Sequence, residues 1–187
     1  MQKIGEATQV DRVYLFQNDT GTQEASTRQR FEWNSGIAEA QIDNPALQNL
    51  PATMMKPAWQ ALSQNMPFFH IVKNIRDKNF REILEEENVL SILLFPIFVR
   101  SRFWGFIGFD ECKFERQWAE VEFSVLRSFS ASIASALERK LSEIEKEDWK
   151  IRYELISASS GQVIYDYNIH TGKIIWGGNI AEVLGYT

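Results

Sequence analysis

The sequence is poor in the residues on which most metal sites and many enzymes depend. Its only cysteine, Cys112, can form neither an internal disulfide nor a thiolate metal site by itself. The two histidines, His70 and His170, lie far apart along the chain, and no phosphate-binding loop or nucleophile motif accompanies them. These shortages predict that the chain has no metal site and no catalytic site.

An excess of positive charge and long hydrophobic runs are also lacking. Lys and Arg number 20 against 25 Asp and Glu, and the resulting net charge of −5 argues against a nucleic-acid partner. The most apolar run, residues 92–99, is far shorter than the roughly 18 residues that a membrane-spanning helix needs. The N-terminus has no apolar signal-peptide region. The sequence therefore predicts a cytoplasmic chain, or the cytoplasmic part of a longer protein, with no membrane insertion.

Several short segments have the alternation or the apolar content of β-strands. They are residues 10–16, 25–33, 68–72, 91–99 and 103–110. The turn residues at 18–21 predict that the first two strands form an antiparallel hairpin. Gly105 and Gly108 in the last strand predict that a helix or a ligand approaches the backbone there. Asp110, at the end of that strand, is interpreted as a turn or helix-capping acid.

A long helix is predicted from residue 119 to about residue 157, because neither proline nor glycine interrupts this stretch. Its inward track advances in steps of three or four residues, with one polar intrusion, Asp148. The track consists of Leu126, Phe129, Ile133, Leu137, Leu141, Ile144, Asp148, Ile151 and Leu155. Eleven of the seventeen residues at 138–154 are charged, so this part of the helix is expected to be solvated. The track then needs a partner, and the prediction is a homodimer through a coiled coil, parallel or antiparallel.

A family resemblance lies in the segment SILLFPIFVRSRFWGFIGFDECKFERQWAEVEFSVL. It resembles the C-terminal half of a GAF domain, in the form found in multi-domain sensor histidine kinases. The opening IGEATQVDRVYLFQN is similar to the first helix and strand of the same domains. The resemblance covers roughly residues 1–139. It implies an α+β fold of GAF type, related to PAS domains, in which about six antiparallel strands form a central sheet. Helices lie on both faces of that sheet, and a long C-terminal signalling helix follows.

The tail, SSGQVIYDYNIHTGKIIWGGNIAEVLGYT, is similar to the start of a PAS domain. Trp176 and the closing Leu184-Gly185-Tyr186 stand where PAS sequences carry them. The tail is predicted to contain strands at 162–168 and 173–176 and a short helix at 180–184. The predicted domains are therefore a GAF sensor domain at 1–138, whose first helix is truncated, a charged coiled-coil linker helix at 139–157, and a PAS fragment at 158–187.

The resemblance also bears on cofactors, and none is identifiable. The polar positions of the cyclic-nucleotide signature of GAF domains are not matched here. Lys113 follows Cys112, where bilin-carrying GAF domains typically place a histidine. A role for His70 as a haem ligand is also disfavoured. The resemblance thus disfavours cyclic nucleotides, bilins and haem, and it leaves an unknown small molecule as the ligand.

Six side chains come from the segments that line the ligand cavity in GAF domains. They are Trp59, Phe68, His70, Phe80, Phe98 and Trp104. Core packing explains these residues equally well, so both interpretations stay open.

The resulting hypothesis is a sensory module of a two-component system. The GAF domain binds a small molecule or a partner, and a dimeric helix relays the signal to downstream PAS and histidine kinase domains of the parent protein. The alternative is a GAF domain without a ligand that serves as a dimerisation and spacing element.

Overall fold

The computed structural model describes residues 1–19, 24–159, 163–178, 180, 183 and 185, and a six-stranded antiparallel sheet is its central feature. The strands are β1 (Arg12–Asp19), β2 (Ser26–Asn34), β3 (Leu50–Pro51), β4 (Phe68–Ile71), β5 (Ser91–Val99) and β6 (Arg102–Glu111). Their spatial order is β3-β2-β1-β6-β5-β4, so β1 and β6 form the middle of the sheet. The helices are α1 (Gln2–Thr8), α2 (Lys56–Ser63), α3 (Lys78–Glu86) and α4 (Glu120–Ser159).

The sheet has an apolar cluster on each face, because side chains alternate between the faces along every strand. On β1, Tyr14 and Phe16 point into the cluster that α2 and α3 cover, and that cluster includes Leu62 and Phe80. On the same strand, Val13 and Leu15 join the second cluster. Leu126 of α4 belongs to that cluster, and Ile4 of α1 packs against it. The predicted six-stranded antiparallel sheet with helices on both faces is confirmed.

The stretch between β2 and α2 contains two short 3₁₀ helices, Pro45–Leu47 and Ala52–Met55, with β3 between them. Asn44 caps the first one, because its side-chain oxygen accepts a hydrogen bond from the Ala46 amide at 3.0 Å. This stretch brings Leu47, Leu50 and Met55 against the α2–α3 side of the sheet.

Gly105 and Gly108 lie against the neighbouring strand β1 rather than against a helix. A Cβ atom at position 105 would lie 2.0 Å from the carbonyl oxygen of Phe16 on β1. A Cβ atom at position 108 would lie 2.1 Å from the ring of Tyr14. The prediction for these two glycines is therefore corrected: they make room for the backbone and the aromatic side chains of β1.

Residues Met1–Leu137 and Glu138–Thr187 form two compact units, and α4 begins in the first and ends in the second. The second unit contains a hairpin of β7 (Val163–Tyr167) and β8 (Ile174–Gly178), at the positions where the two strands of the tail are predicted. Within it, the rings of Trp149 and Tyr153 stack at 5.6 Å, and those of Tyr165 and Trp176 lie 5.7 Å apart. The predicted turn at 18–21 and the predicted helix at 180–184 fall largely outside the described residues.

None of the helices in the described part of the chain combines the length and the apolar character that crossing a bilayer requires.

A substitution of Gly105 tests the close contact between β1 and β6. Gly105→Ala should lower the free energy of unfolding by about 3 kcal/mol, because the new methyl group overlaps a backbone oxygen that cannot rotate away. Urea unfolding followed by tryptophan fluorescence measures this loss. Gly177→Ala is the control, since its Cβ would meet nothing closer than 3.7 Å. Equal stability of the two variants would contradict the assigned strand contact.

Candidate functional site

A cavity lies between the sheet and helix α3, on the face that carries Tyr14 and Phe16. Most of its lining is apolar, but four of the residues have a charged or amide side chain. The lining residues are Arg12, Tyr14, Phe16, Gln29, Gln41, Leu47, Leu50, Met55, Phe80, Ile83, Leu84, Glu87, Ile92, Leu94 and Phe106. The space that water-sized molecules can occupy is about 40 Å³, and the whole cleft out to open solvent is about 440 Å³.

Arg12 is the polar centre of this cavity, and only 1% of its surface is exposed. Its Nε and Nη2 donate to Asp110 Oδ2 at 3.1 and 2.8 Å, and Nη2 also donates to Glu87 Oε2 at 2.7 Å. The Tyr14 hydroxyl donates to the other oxygen of Asp110 at 2.9 Å. Asp110 is therefore not the turn or capping acid that the sequence suggests. It faces Arg12 across the central strand pair, where the two residues are directly opposite.

Two polar atoms of the cavity lining have no hydrogen-bond partner among the described residues. They are Nη1 of Arg12 and Oε1 of Gln29. Only 3% of the surface of Gln29 is exposed. The orientation of Gln29 is fixed because its Nε2 donates to Glu32 Oε2 at 3.1 Å. The same oxygen also accepts a hydrogen bond from the backbone N–H of Gln41 at 2.8 Å. Buried polar groups are nearly always paired, so a donor and an acceptor left over in one cavity indicate a site for a bound molecule or water.

Burial dominates the electrostatics of the cavity. It raises the pKa of Glu87 to about 7, although the neighbouring Arg12 charge opposes this shift. Burial also raises the pKa of Asp110 above its usual value, and that of Tyr14 well above 10. For Arg12 burial acts against the charge, but the carboxylates of Asp110 and Glu87 outweigh it and raise the pKa. The guanidinium is therefore permanently charged, whereas Glu87 changes its charge near neutral pH.

A second charged cluster lies one residue further along the same two strands, around Asp11 and Glu111. Both residues are fully buried. Asp11 accepts hydrogen bonds from the Cys112 amide at 3.0 Å and the Ser35 hydroxyl at 3.1 Å, and its carboxylate lies 2.9 Å from Lys113 Nζ. Burial and the hydrogen bond to Asp11 raise the pKa of Glu111 to about 7. Burial opposes ionisation of Asp11, but these partners, Glu111 first among them, lower its pKa to about 2. The pair thus holds one proton at mildly acidic pH.

Arg116 connects this second cluster to the two helices at the ends of the domain. Its Nη2 donates to the carbonyl oxygen of Thr8 at 2.9 Å, at the end of α1, and to Glu122 in the first turn of α4. Its Nη1 lies 3.5 Å from Glu111, and its guanidinium stacks over the Trp118 ring at 4.4 Å from the centroid. One side chain therefore contacts α1, β6 and α4.

The thiol of Cys112 is half-buried and packs against the cluster that contains the cavity. Burial and then the charge of Asp110 raise its pKa to about 12, so the thiol stays protonated at neutral pH. Within the part of the chain that the structure describes, no group of three or more His, Cys, Asp or Glu side chains could hold a metal ion.

Of the six pocket residues predicted from the family resemblance, Phe80 lines the cavity. The ring of Phe68 lies behind it, 5.9 Å from that of Phe80 and 4.6 Å from that of His70. Neither Phe68 nor His70 belongs to the cavity lining. Their contact with a ligand stays a prediction.

The other three predicted pocket residues lie elsewhere. Trp59 and Phe98 pack against Phe103, with ring centroids 5.2 and 5.5 Å apart. Trp104 packs against the cluster on the opposite face of the sheet. The structure therefore does not bring the six residues together into one lining.

Sequence reasoning missed the polar cavity residues of the sheet, which are Arg12 and Tyr14 on β1 and Gln29 on β2. One signal was present in the sequence. Arg12 stands in a strand whose alternation puts it on the same face as Tyr14 and Phe16, and a charged residue on an apolar face needs a partner. The identity of that partner, Asp110, depends on strand register and was not visible in the spacing.

The residues predicted for the dimer helix divide into two groups along α4. Leu126 is fully buried against the sheet of its own chain, and Phe129, Ile133 and Leu137 pack partly on the same cluster. Leu126 is therefore not available to a partner helix. The remaining apolar members of the track keep much of their surface exposed: Leu141, Ile144, Ile151 and Leu155.

Comparisons with known proteins bear on the family. The family model described as "GAF domain" matches residues 1–137. The methanogenesis regulatory histidine kinase FilI of Methanothrix harundinacea is 41% identical over 140 residues, which are 74% of this chain. The chain spans 16% of the length of that relative.

Two solved structures have the same fold. The PixJ GAF domain of Thermosynechococcus elongatus, in its blue-light absorbing form, matches with a TM-score of 0.67 at 17% identity. That match covers 81% of this chain and 88% of the other. The phycocyanobilin-bound GAF domain of a cyanobacterial phytochrome matches with a TM-score of 0.64 at 16% identity, over 75% of this chain and 81% of the other.

The expectation from the sequence that bilins are disfavoured and that no cofactor class is identifiable is wrong. It rested on the absence of a histidine after Cys112, but the fold found here is shared with a GAF domain that holds phycocyanobilin. A local motif therefore does not decide the ligand class.

The ionisation of Glu87 generates a prediction about pH. Because the pKa of Glu87 is raised from 4.5 to about 7 on folding, the folded state holds this proton more tightly than the unfolded state does. The free energy of unfolding should fall as the pH rises from about 5 to 8, by on the order of 2 kcal/mol from this residue. Glu87→Gln should flatten that slope in urea titrations at several pH values. Glu86→Gln, an exposed neighbour, is the control, and identical slopes in all three proteins would refute the assignment.

Proposed function

The chain belongs to the GAF domain family, and from this premise we propose that it is the sensory module of a histidine kinase. In this proposal the cavity beside α3 binds a small molecule, and α4 carries the resulting change toward an output domain. The proposal rests on the state of Arg12. Its guanidinium lines the cavity and is 1% exposed, and one of its terminal nitrogens has no partner among the described residues. An unsatisfied buried donor of this kind costs stability, which a bound molecule would restore.

The central strands supply a route from the cavity to the helices. Arg12 lines the cavity and is bonded to Asp110, and their chain neighbours Asp11 and Glu111 form the second cluster. A ligand that shifts Arg12 relative to Asp110 would displace both strands, because Arg12 and Asp110 are directly paired in the register of β1 and β6. The second cluster would move with them.

Arg116 is the next step of the proposed relay. It binds Glu111 at the end of β6, the last carbonyl of α1 and Glu122 at the start of α4. A change at Glu111 is therefore felt where α4 begins. In its first turns the helix also packs on the sheet through Phe123 and Leu126, so it follows the movement of the strands.

Dimerisation through the later part of α4 belongs to the same proposal. Leu141, Ile144, Ile151 and Leu155 remain exposed, and their spacing is that of a coiled-coil seam interrupted by Asp148. A polar residue in such a seam lowers stability in exchange for a choice of register, which suits a helix pair that must change state.

The tail and the output domain complete the proposed arrangement. Residues 158–187 are proposed as the start of a PAS domain, on the basis of the sequence motif, and a histidine kinase is proposed downstream, on the basis of the 41% identical relative. The parent protein would then act in the cytoplasm as part of a two-component system.

The second candidate function is a spacer that dimerises and binds nothing. The small size of the cavity favours it, since 40 Å³ holds a few water molecules at most. The two functions differ in whether filling the cavity has any effect on the output.

A cavity-filling variant separates the sensor from the spacer. Leu84→Phe places a larger side chain in the cavity from α3, and in the sensor it should change autophosphorylation of the intact kinase several-fold. Leu90→Phe, at an exposed position just beyond α3, should leave autophosphorylation unchanged. Unchanged activity in both variants would rule out the sensor and support the spacer. Circular dichroism checks that both variants are folded.

The dimer is tested on the chain itself by sedimentation equilibrium. Replacing both Ile144 and Ile151 with Asp should weaken association by at least about tenfold, because charges would enter the proposed seam. Ile37→Asp combined with Met66→Asp is the matched control, since these residues are similarly exposed outside α4. Asp148→Leu should strengthen association. A monomer at high concentration, or equal association in all variants, would remove the dimer from the proposal.

A further inference from the structure

The cavity lining has one buried donor and one buried acceptor without a partner among the described residues, and both are fixed in place. Nη1 of Arg12 is the donor, held by the bonds of the same guanidinium to Asp110 and Glu87. Oε1 of Gln29 is the acceptor, held by the bond from Gln29 Nε2 to Glu32. A ligand that fits must therefore present an acceptor and an N–H or O–H donor together.

The charges around the cavity decide against an ionic ligand. Two carboxyl groups, Asp110 and Glu87, bond to the single guanidinium, and the charge of Glu32 acts on both of them. These carboxylates would repel an anionic ligand. Arg12 could not offset the repulsion, because Asp110 already compensates its charge. An ammonium group has no acceptor to give to Arg12. A neutral group satisfies both atoms without adding charge.

The remaining walls require an apolar body. The floor consists of buried apolar side chains such as Phe16, Leu94 and Phe106. The lining residues that keep contact with solvent are Gln41, Leu50, Ile83 and Glu87, so they mark the mouth. A polar head of a few atoms fits the inner 40 Å³, and a longer apolar part would extend toward Leu50 and Ile83.

We infer that the ligand is a small neutral molecule with a carboxamide-like head and an apolar body, whose carbonyl accepts from Arg12 Nη1 and whose N–H donates to Gln29 Oε1. This inference rests on the proposed function of the cavity and specifies its ligand class. The two residues that would recognise this ligand are Arg12 and Gln29.

Three probes of similar size test the inference on the whole chain by amide NMR titration at pH 8. Butyramide offers both an acceptor and a donor, pentan-2-one offers the acceptor alone, and butyrate carries a negative charge. Butyramide should bind with a dissociation constant about tenfold lower than either of the others, since each of them leaves a buried group unpaired or adds charge. Its shifts should centre on Arg12, Gln29 and Leu94.

Butyrate binding as tightly as butyramide would overturn the inference and leave the sensor function standing. Absence of binding by all three probes would mean that the cavity holds ordered water only, and this also overturns the inference. Failure of the sensor function itself would appear separately, as unchanged autophosphorylation in Leu84→Phe.

Variants at two glutamines assign the acceptor. Gln29→Met keeps the length of the side chain but removes its oxygen, so butyramide should bind about tenfold more weakly, whereas pentan-2-one, which leaves that oxygen unpaired, should bind no more weakly than before. Gln60→Met, at an exposed position of α2, should change neither probe. Equal weakening of both probes by Gln29→Met would show that Gln29 only packs the cavity. If Gln29→Met does not fold, the comparison of the three probes on the unmodified chain still decides the inference.

Discussion

The buried ion pair of Arg12 and Asp110 is the interaction on which the rest of the structure depends. It joins the two central strands of the sheet at the level of the cavity, with two hydrogen bonds from the guanidinium and a third from Tyr14. Taking two charges out of water is costly, and only close geometry and further hydrogen bonds offset the cost. Glu87 therefore has to lie where α3 places it, and Tyr14 has to keep its hydroxyl on Asp110. The positions of α3, β1 and β6 are set by the same few atoms.

Alternation along the strands gives this pair a second consequence. Asp11 precedes Arg12 and Glu111 follows Asp110 in the sequence, and both acids belong to the second cluster. A sheet transmits small displacements because its strands are linked by hydrogen bonds and its interior is densely packed. The two charged clusters thus share one backbone, and Arg116 extends the contact to both terminal helices of the domain. A continuous set of contacts therefore joins the cavity to the start of α4, although the two lie in different parts of the domain.

Much of the fold could be predicted from the sequence because it depends on local pattern. Alternation located the strands, and the absence of proline and glycine located α4. The cavity could not be found in that way. The pairing of Arg12 with Asp110 depends on the register between two strands that are far apart in the sequence. Selecting pocket residues by aromatic character identified Phe80 but also chose Trp104, which packs on the other face. The apolar track of α4 similarly did not reveal that the sheet already covers Leu126. The ligand class also could not be read from a motif around Cys112.

The division of the cavity into a floor on the sheet and a mouth on other elements has an evolutionary consequence. Arg12 and Asp110 are tied to the stability of the sheet, so a substitution at either would destabilise the domain. Gln41, Leu50 and Ile83 lie on a connecting segment, a two-residue strand and a helix face, where the structure tolerates other side chains. Descendants of such a domain can therefore change the side chains at the mouth of the cavity, while they inherit Arg12 and Asp110 unchanged.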